Sequence, residues 1–302
     1  MKYFQNRVEG KEGLCNQLMA VFRTLTEAFH SAGRNEPSCI LLADGQTRRS
    51  VDSEQEPYFL PLPIDAFIEV PQLEKALATK HVSLRRVQDL QAEQVQPVLC
   101  SRFPIRSMTQ EESRDIGLWI ATSFPFAAKP LKLAHWIIDK MAVYPTWSAL
   151  QLRIEGDMLH FPEVSSIGLD AYATQQVQLA SECMARIPGL QAVYVATGVK
   201  GDKFQYVSSE LTKRFPQLEV KHKTTMLSLS PELWREFEDL SLEEQALVDW
   251  LVCVGAPYFL GPHVTSFSYL AGYIRHYRGF EPEATQLWPA YQNAWESWFP
   301  RV

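Results

Sequence analysis

The chain of 302 residues is short of the features that assign a protein at sight. Its five cysteines, Cys15, Cys39, Cys100, Cys183 and Cys253, are odd in number and widely scattered. No C-x-x-C pair occurs and no Cys/His cluster has zinc spacing, which excludes a disulfide framework or zinc module. They read as small buried hydrophobes in a reducing compartment. No lysine-arginine run stands out, and with a net charge of −6 and a pI of about 5.7 a nucleic-acid partner is not expected. No stretch approaches the roughly 18 apolar residues of a membrane span. Met1–Gly10 is polar and charged rather than a signal peptide. The expectation is a soluble, cytoplasmic protein, although a secreted or Golgi protein shorn of its leader would read the same. There is no internal repeat or low-complexity tract. G-x-G-x-x-G, Walker A, H-E-x-x-H and G-x-S-x-G motifs are all missing, which removes the commonest nucleotide, zinc-protease and serine-hydrolase signatures.

What is present is an ordinary globular composition, 46% hydrophobic and 21% charged, with ample apolar residues for a core. The length suits two domains or one large α/β domain. The 8 Trp, 11 Tyr and 16 Phe are mostly core, though a carbohydrate site would also use some for stacking.

Apolar periodicity predicts a strand at Lys2–Val8, a helix at Asn16–Ala32 closed by Gly33, and a buried strand at Ser38–Ala43. A strand, helix and strand in that order make a βαβ unit and predict a parallel sheet. Gln46–Pro63 is polar, then proline-rich, and reads as a long loop. Asp65–Ala78 holds a strand-like piece and a helix start, and Leu84–Cys100 gives a weak signal. Helices follow at Glu111–Phe124 and Pro130–Met141. Pro145 marks a break, which places an N-terminal Rossmann-like domain at 1–144 and a second at 145–302. In the second, strands are predicted at Trp147–Ile154, Ala192–Ala196, Leu218–His222 and Tyr258–Leu260. Helices are predicted at Asp170–Arg186, Phe204–Phe215, Leu242–Val254 and Ser266–Tyr277. The tail, Ala284–Phe299, reads as a Trp-rich helix packed on the body. The alternation points to an α/β class.

Four segments could carry chemistry. In ALQLRIEGDM, 149–158, a buried strand delivers Arg153, Glu155 and Asp157 together at its end. Ligands of open α/β sheets sit there. An arginine fork suits phosphate oxygens, and a carboxylate beside it can accept a proton or orient a hydroxyl. The alternative is a salt bridge at a strand end. Glu155-x-Asp157 has no neighbouring His or Asp to complete a metal site, and none is expected. In FLGPHVTSFS, 259–268, Thr265 and Ser266 sit where a helix begins, a place suited to phosphate or simply to N-capping. VYVATG, 193–198, ends a buried strand on Thr197 and Gly198, at the ligand edge or in an ordinary glycine turn. GLCNQ, 13–17, turns at Gly13 into a helix whose first turn offers the amides of Asn16 and Gln17 to a sugar or phosphate; a helix cap by Asn16 is the alternative. His160 and His263 lie in or next to these segments and read as ligand contacts or plain loop histidines.

Taken in this order, the segments resemble the GDP-fucose protein O-fucosyltransferase superfamily, including its plant O-fucosyltransferase-like and rhamnosyltransferase branch. Gly13–Gln17 looks like that family's glycine/Asn-Gln motif, ALQLRIEGDM like its A-L-H-L-R-F-E-x-D-M block, and VYVATG like its I-Y-L-A-T-G strand. Residues 246–279 resemble its C-terminal block with an F-I-G-N-x-x-S-S-F-type turn. Residues 46–113 carry little resemblance. The resemblance implies a GT-B-like fold of two Rossmann-like domains facing a central cleft. It implies an inverting, metal-independent transfer of a deoxyhexose, fucose from GDP-fucose first of all, with no cofactor beyond the donor. The acceptor would be a protein or glycan. By the same resemblance Arg153 grips the donor phosphates and steadies the leaving group, and Thr265, Ser266 and Phe267 form the diphosphate turn. Asn16, with Gly13 and Gln17, lies near the donor, as do Gln151, Thr197 and Gly198. Asp157 or Glu155 is the acceptor-activating base by proximity. The pattern departs at two places. Gln151 stands where the family has histidine, and Ala256-Pro257 where it has an acidic residue. Rhamnosyl or another nucleotide-sugar transfer, or nucleotide-sugar or glycan binding with weak catalysis, are therefore the alternatives.

Overall fold

The computed structural model describes residues 1–8, 12–48, 59–90, 95–101, 108–263 and 265–288. The chain forms two compact units, which among these residues comprise 1–47 with 59–128, and 48 with 129–288. In sequence they divide between Ala128 and Lys129, ahead of the break at Pro145.

The first unit contains β1 (Lys2–Asn6), α1 (Leu14–Ala32), β2 (Ser38–Leu42), β3 (Gly45–Arg48), β4 (Phe59–Leu62), α2 (Val70–Ala78), β5 (Val82–Arg86), β6 (Val98–Cys100) and α3 (Gln110–Ser123). Arg48, the last residue of β3, groups with the second unit. The main sheet has the order β5-β2-β1-β6 and every pairing is parallel, as the βαβ reading predicts. Leu18, Val21, Phe22, Leu25 and Ala28 form the buried stripe of α1, spaced three and four apart so that they share one helix face. Phe22 and Phe124 meet edge to face with centroids 4.9 Å apart. α3 starts at a capping box: Thr109 Oγ1 accepts from the Glu112 amide, and the Glu112 carboxylate accepts from the Thr109 amide.

The segment read as a loop, Gln46–Pro63, instead contributes the small β3-β4 sheet at its two ends, with 49–58 outside the described residues. Its register is held from α1. The Gln17 amide donates to the Gln46 and Glu12 carbonyls and accepts from the Gln46 N–H. Gly45 makes this approach possible, since a Cβ there would lie 2.5 Å from Gln17 Oε1.

The second unit contains α4 (Ala128–Met141), β7 (Trp147–Gln151), α5 (Pro162–Ser165), α6 (Leu169–Met184), β8 (Ala192–Ala196), α7 (Gly201–Arg214), β9 (Glu219–Lys221), α8 (Lys223–Leu227), α9 (Pro231–Glu238), α10 (Leu242–Gly255), β10 (Tyr258–Pro262), α11 (Ser266–Tyr277) and β11 (Thr285–Trp288). Its sheet, β11-β10-β7-β8-β9, is wholly parallel. β7 and β8 are buried along their whole length, which explains their continuous apolar sequences. Two expectations are corrected here. β7 ends at Gln151 rather than Ile154, so Arg153 lies two residues beyond the strand. The tail does not enter a helix at Ala284: Thr285–Trp288 pairs in parallel with β10, and 289–299 lie outside the described residues. Leu287 and Trp288 are buried as the last strand of the sheet, because β10 offers an unpaired edge that a short apolar run can complete.

In this sheet β7 has β8 on one side and β10 on the other. Strand order reverses between β7 and β10, and their carboxyl ends flank the crevice in which doubly wound sheets hold ligands. The helix after β10, α11, starts directly at that crevice. Gly261 permits its close approach, since a Cβ there would meet Ser268 Oγ at 2.3 Å. Among the described residues no helix is long and apolar enough to cross a membrane.

Candidate functional site

At the carboxyl end of β7 the chain turns away from the sheet and presents Arg153, Glu155 and Asp157 in one cluster. Arg153 donates through Nη1 to Glu155 Oε2 and through Nη2 to Asp157 Oδ2, each at 2.6 Å. Its side chain keeps 23% exposure, the carboxylates 7% and 12%. The three residues do converge, and they do so as an ion-paired set. Burial opposes the charge on Arg153, but the two carboxylates outweigh it and raise its pKa further. Only one N–H of each terminal nitrogen is used by these bonds, so the guanidinium retains donors on its open side.

Glu155 is the most constrained member. Its Oε1 accepts from the Gly198 amide at 2.7 Å and from Thr197 Oγ1 at 3.4 Å, while Oε2 holds Arg153. Burial alone would raise its pKa; the Arg153 charge and the Gly198 N–H overcome that and hold it below the usual carboxylate range. VYVATG thus supplies the groups that fix Glu155. Asp157 Oδ2 is shared with a second arginine, Arg48, at 3.2 Å, and Arg48 donates in turn to the fully buried Glu243 at 2.8 Å. Asp157 Oδ1 is buried with no hydrogen-bond partner among the described residues.

The start of α11 is tied to the end of β7, two residues before Arg153. Thr265 is its N-cap and Oγ1 accepts from the Ser268 amide at 3.1 Å. Gln151, the last residue of β7, is 4% exposed and its Oε1 accepts from Ser268 Oγ and Thr265 Oγ1 at 3.1 and 3.3 Å. Gln151 therefore ties the end of β7 to the first turn of α11. The N–H groups of Ser266 and Phe267 precede the first intrahelical bond, made by Tyr269 to Thr265, and a helix start of this kind favours an anion. Thr265 serves as cap, as the N-capping reading expects, and Ser266 and Phe267 form the first turn.

The other expected residues fall as follows. Gly13 is the extended N-cap of α1 in the first unit. Gln17 there is hydrogen-bonded to Gln46 and Glu12 and holds the start of β3. Asn16 is half-buried and makes no side-chain hydrogen bond among the described residues. His263 directs Nδ1 at the Trp288 carbonyl at 3.1 Å, and His160 is exposed. Among the described residues no three His, Cys, Asp or Glu side chains gather as a metal-holding group.

Behind the cluster the structure reveals polar residues that the sequence reading did not single out. Lys223 is buried, donates to the Thr197 carbonyl at 2.6 Å and pairs with Asp249. Tyr194 donates to the other Asp249 oxygen at 2.6 Å. Burial pushes the Asp249 carboxyl upward, while Lys223 and Tyr194 pull it back. One signal was available: Asp249 interrupts the otherwise apolar LVDWLVCVG, and an acid on such a face demands a buried partner.

His222 caps α8 and packs against Phe204 with ring centroids 4.6 Å apart. Burial first, then the neighbouring Lys223, pushes its pKa from 6.5 down to about 3. The folded state therefore holds His222 neutral where the unfolded chain takes up a proton. Stability is fully present above pH 6.5 and falls as pH drops toward 3, by about 1.4 kcal/mol per pH unit from this group. Urea unfolding at pH 7 and pH 5 should show that loss, and His222→Asn, which keeps a capping acceptor without titrating, should flatten it.

No protein-family model and no curated protein matches the sequence. Solved structures do match its fold. POFUT1 in complex with GDP superposes with a TM-score of 0.52 at 12% identity over 93% of this chain and 96% of that one. POFUT1 in complex with GDP-fucose matches with the same TM-score, identity and coverage. NodZ alpha-1,6-fucosyltransferase soaked with GDP-fucose matches with a TM-score of 0.52 at 11% identity over 90% and 92%. At such identity the likeness is one of architecture. The chain has a GT-B-like α/β fold, the fold of these fucosyltransferase structures.

Proposed function

We propose that this protein is a glycosyltransferase that takes a deoxyhexose, fucose from GDP-fucose, and transfers it to a protein or glycan acceptor with inversion and without a metal. The observation that carries this reading is Arg153, two residues past β7, whose last residue Gln151 is hydrogen-bonded to the first turn of α11, in a fold shared with proteins captured with GDP and GDP-fucose. In such a transfer the acceptor oxygen bonds to the anomeric carbon as the bond from that carbon to the diphosphate breaks. Charge accumulates on the departing diphosphate. A guanidinium with open donors and a helix N-terminus stabilise that charge, and fixed in advance they need no reorganisation. Glu155, with both oxygens engaged, positions Arg153. Asp157, engaged through Oδ2 alone among the described residues, is the carboxylate assigned to receive the acceptor proton.

A second reading is nucleotide-sugar or glycan binding with weak or no transfer, or transfer of another sugar such as rhamnose. It is favoured by Gln151, a non-titrating amide committed to Thr265 and Ser268 where the resembled block has histidine. A thermal-shift panel of nucleosides, nucleoside diphosphates and nucleotide sugars tests both. GDP and GDP-fucose should raise Tm and guanosine should do so far less. Failure of every nucleoside diphosphate to shift Tm would overturn the donor reading. Binding of GDP-fucose without GDP release, across protein and glycan acceptors, would select the second reading.

A further inference from the structure

We propose that Lys223 and Asp249 are positioning residues for Arg153, acting through the peptide group between Thr197 and Gly198. This rests on the donor role of Arg153 proposed above.

The carbonyl of Thr197 and the N–H of Gly198 belong to one planar trans peptide, so they point in opposite directions and turn together. Lys223 Nζ holds the oxygen end at 2.6 Å, and Glu155 Oε1 holds the N–H end at 2.7 Å. The peptide dipole is thus aligned between a cation and an anion, negative end to Lys223 and positive end to Glu155. Glu155 then grips Arg153 at 2.6 Å, and Asp249 anchors Lys223 from α10. Charges alternate along the whole path: Asp249, Lys223, the peptide, Glu155, Arg153. All four charged residues lie within one compact unit. Lys223, Asp249 and Glu155 are each at most 6% exposed, so water does not screen the contacts between them.

The arrangement goes beyond what packing needs. A buried lysine-aspartate pair is on its own a weak source of stability. Here the lysine spends a second donor on a backbone carbonyl at the ligand edge, immediately after β8, where Thr197 O would otherwise have the longer contact to His222 Nε2 at 3.4 Å. Releasing that carbonyl frees the peptide to rotate, which withdraws the Gly198 N–H from Glu155 and loosens the Arg153 fork.

Lys223→Met tests this. It leaves Asp249 buried without its cation, so Lys223→Met/Asp249→Asn is made alongside it; the pair of neutral side chains leaves no unpaired charge, yet Thr197 O still lacks its cationic donor. Two readouts are taken on each folded variant. The first is amide hydrogen exchange at Gly198, which needs no ligand and should be about 10-fold faster or more, with the Ala149 amide of β7 unchanged. The second is affinity for GDP against guanosine. GDP should bind about 10-fold more weakly and guanosine as before, and the loss should shrink to under about 2-fold in an Arg153→Lys background. Unchanged Gly198 exchange, or an equal loss of GDP affinity in the Arg153→Lys background, would overturn the proposal. Absence of GDP binding to the unaltered protein would overturn the donor reading instead, while Gly198 exchange would still decide whether Lys223 sets Glu155.

Discussion

Arg153→Ala is expected to lower turnover of GDP-fucose, followed as GDP released with an acceptor present, by about 10²–10³-fold, the usual cost of losing one positioned donor to transition-state charge. The structure adds a condition that the sequence did not disclose. Arg153 is the counter-ion of the buried Glu155, and removing one partner of a buried pair costs about 3–5 kcal/mol. The alanine variant should therefore also melt earlier. Arg153→Lys separates the two effects. It keeps a cation for Glu155 and Asp157 but loses the planar fork, so it should stay folded and still lose roughly 10-fold or more in turnover. Turnover at the unaltered rate in a folded Arg153→Lys protein would remove Arg153 from the mechanism.

The largest loss of stability is expected at Arg275, which no motif marks. It is fully buried on α11, yet among the described residues no carboxylate pairs with it. Nη1 donates to the carbonyls of Cys253, Val254 and Ala256, Nη2 to those of Pro257 and Ala284, and Nε to Thr285 Oγ1. Its guanidinium also lies 3.9 Å from the centre of the Phe280 ring. Cys253 and Val254 are in the last turn of α10, whose carbonyls have no intrahelical donor and carry the negative end of the helix dipole. Arg275 satisfies them and ties α10 to β11. Burial lowers its pKa to about 9, which leaves it charged at neutral pH. Arg275→Met keeps the length and discards every donor. The stranded carbonyls should make the loss about 4 kcal/mol or more, read as a drop in the urea midpoint. A change below about 1 kcal/mol would show that water replaces the guanidinium.

Much of the architecture was legible because it is written in periodicity. The 14-residue helix Leu242–Gly255 and the strands Trp147–Gln151 and Ala192–Ala196 carry uninterrupted or regularly spaced apolar residues that only burial explains. The misread segments are those whose state depends on a neighbour. Gly45–Arg48 has strand geometry because β4 pairs with it, and Thr285–Trp288 because β10 has a free edge. A Trp-rich stretch suits a helix or a strand equally until such a partner is available.

The site divides along the same line. ALQLRIEGDM placed an arginine and two acids at a strand end, and FLGPHVTSFS placed a capping hydroxyl at a helix start; both are local facts of spacing, and both are found. Spacing and composition alone carried the α/β class, most of the helices and strands, and the segments that reach the carboxyl edge of the second sheet. Only the tertiary structure decided which charges answer which: Arg153 to Glu155 and Asp157, Arg48 to Glu243, Lys223 to Asp249 and the Thr197 carbonyl. Periodicity along a chain fixes which faces are buried. Ion pairs between residues up to 195 positions apart depend on where the fold brings those faces, and burial then makes each pairing obligatory.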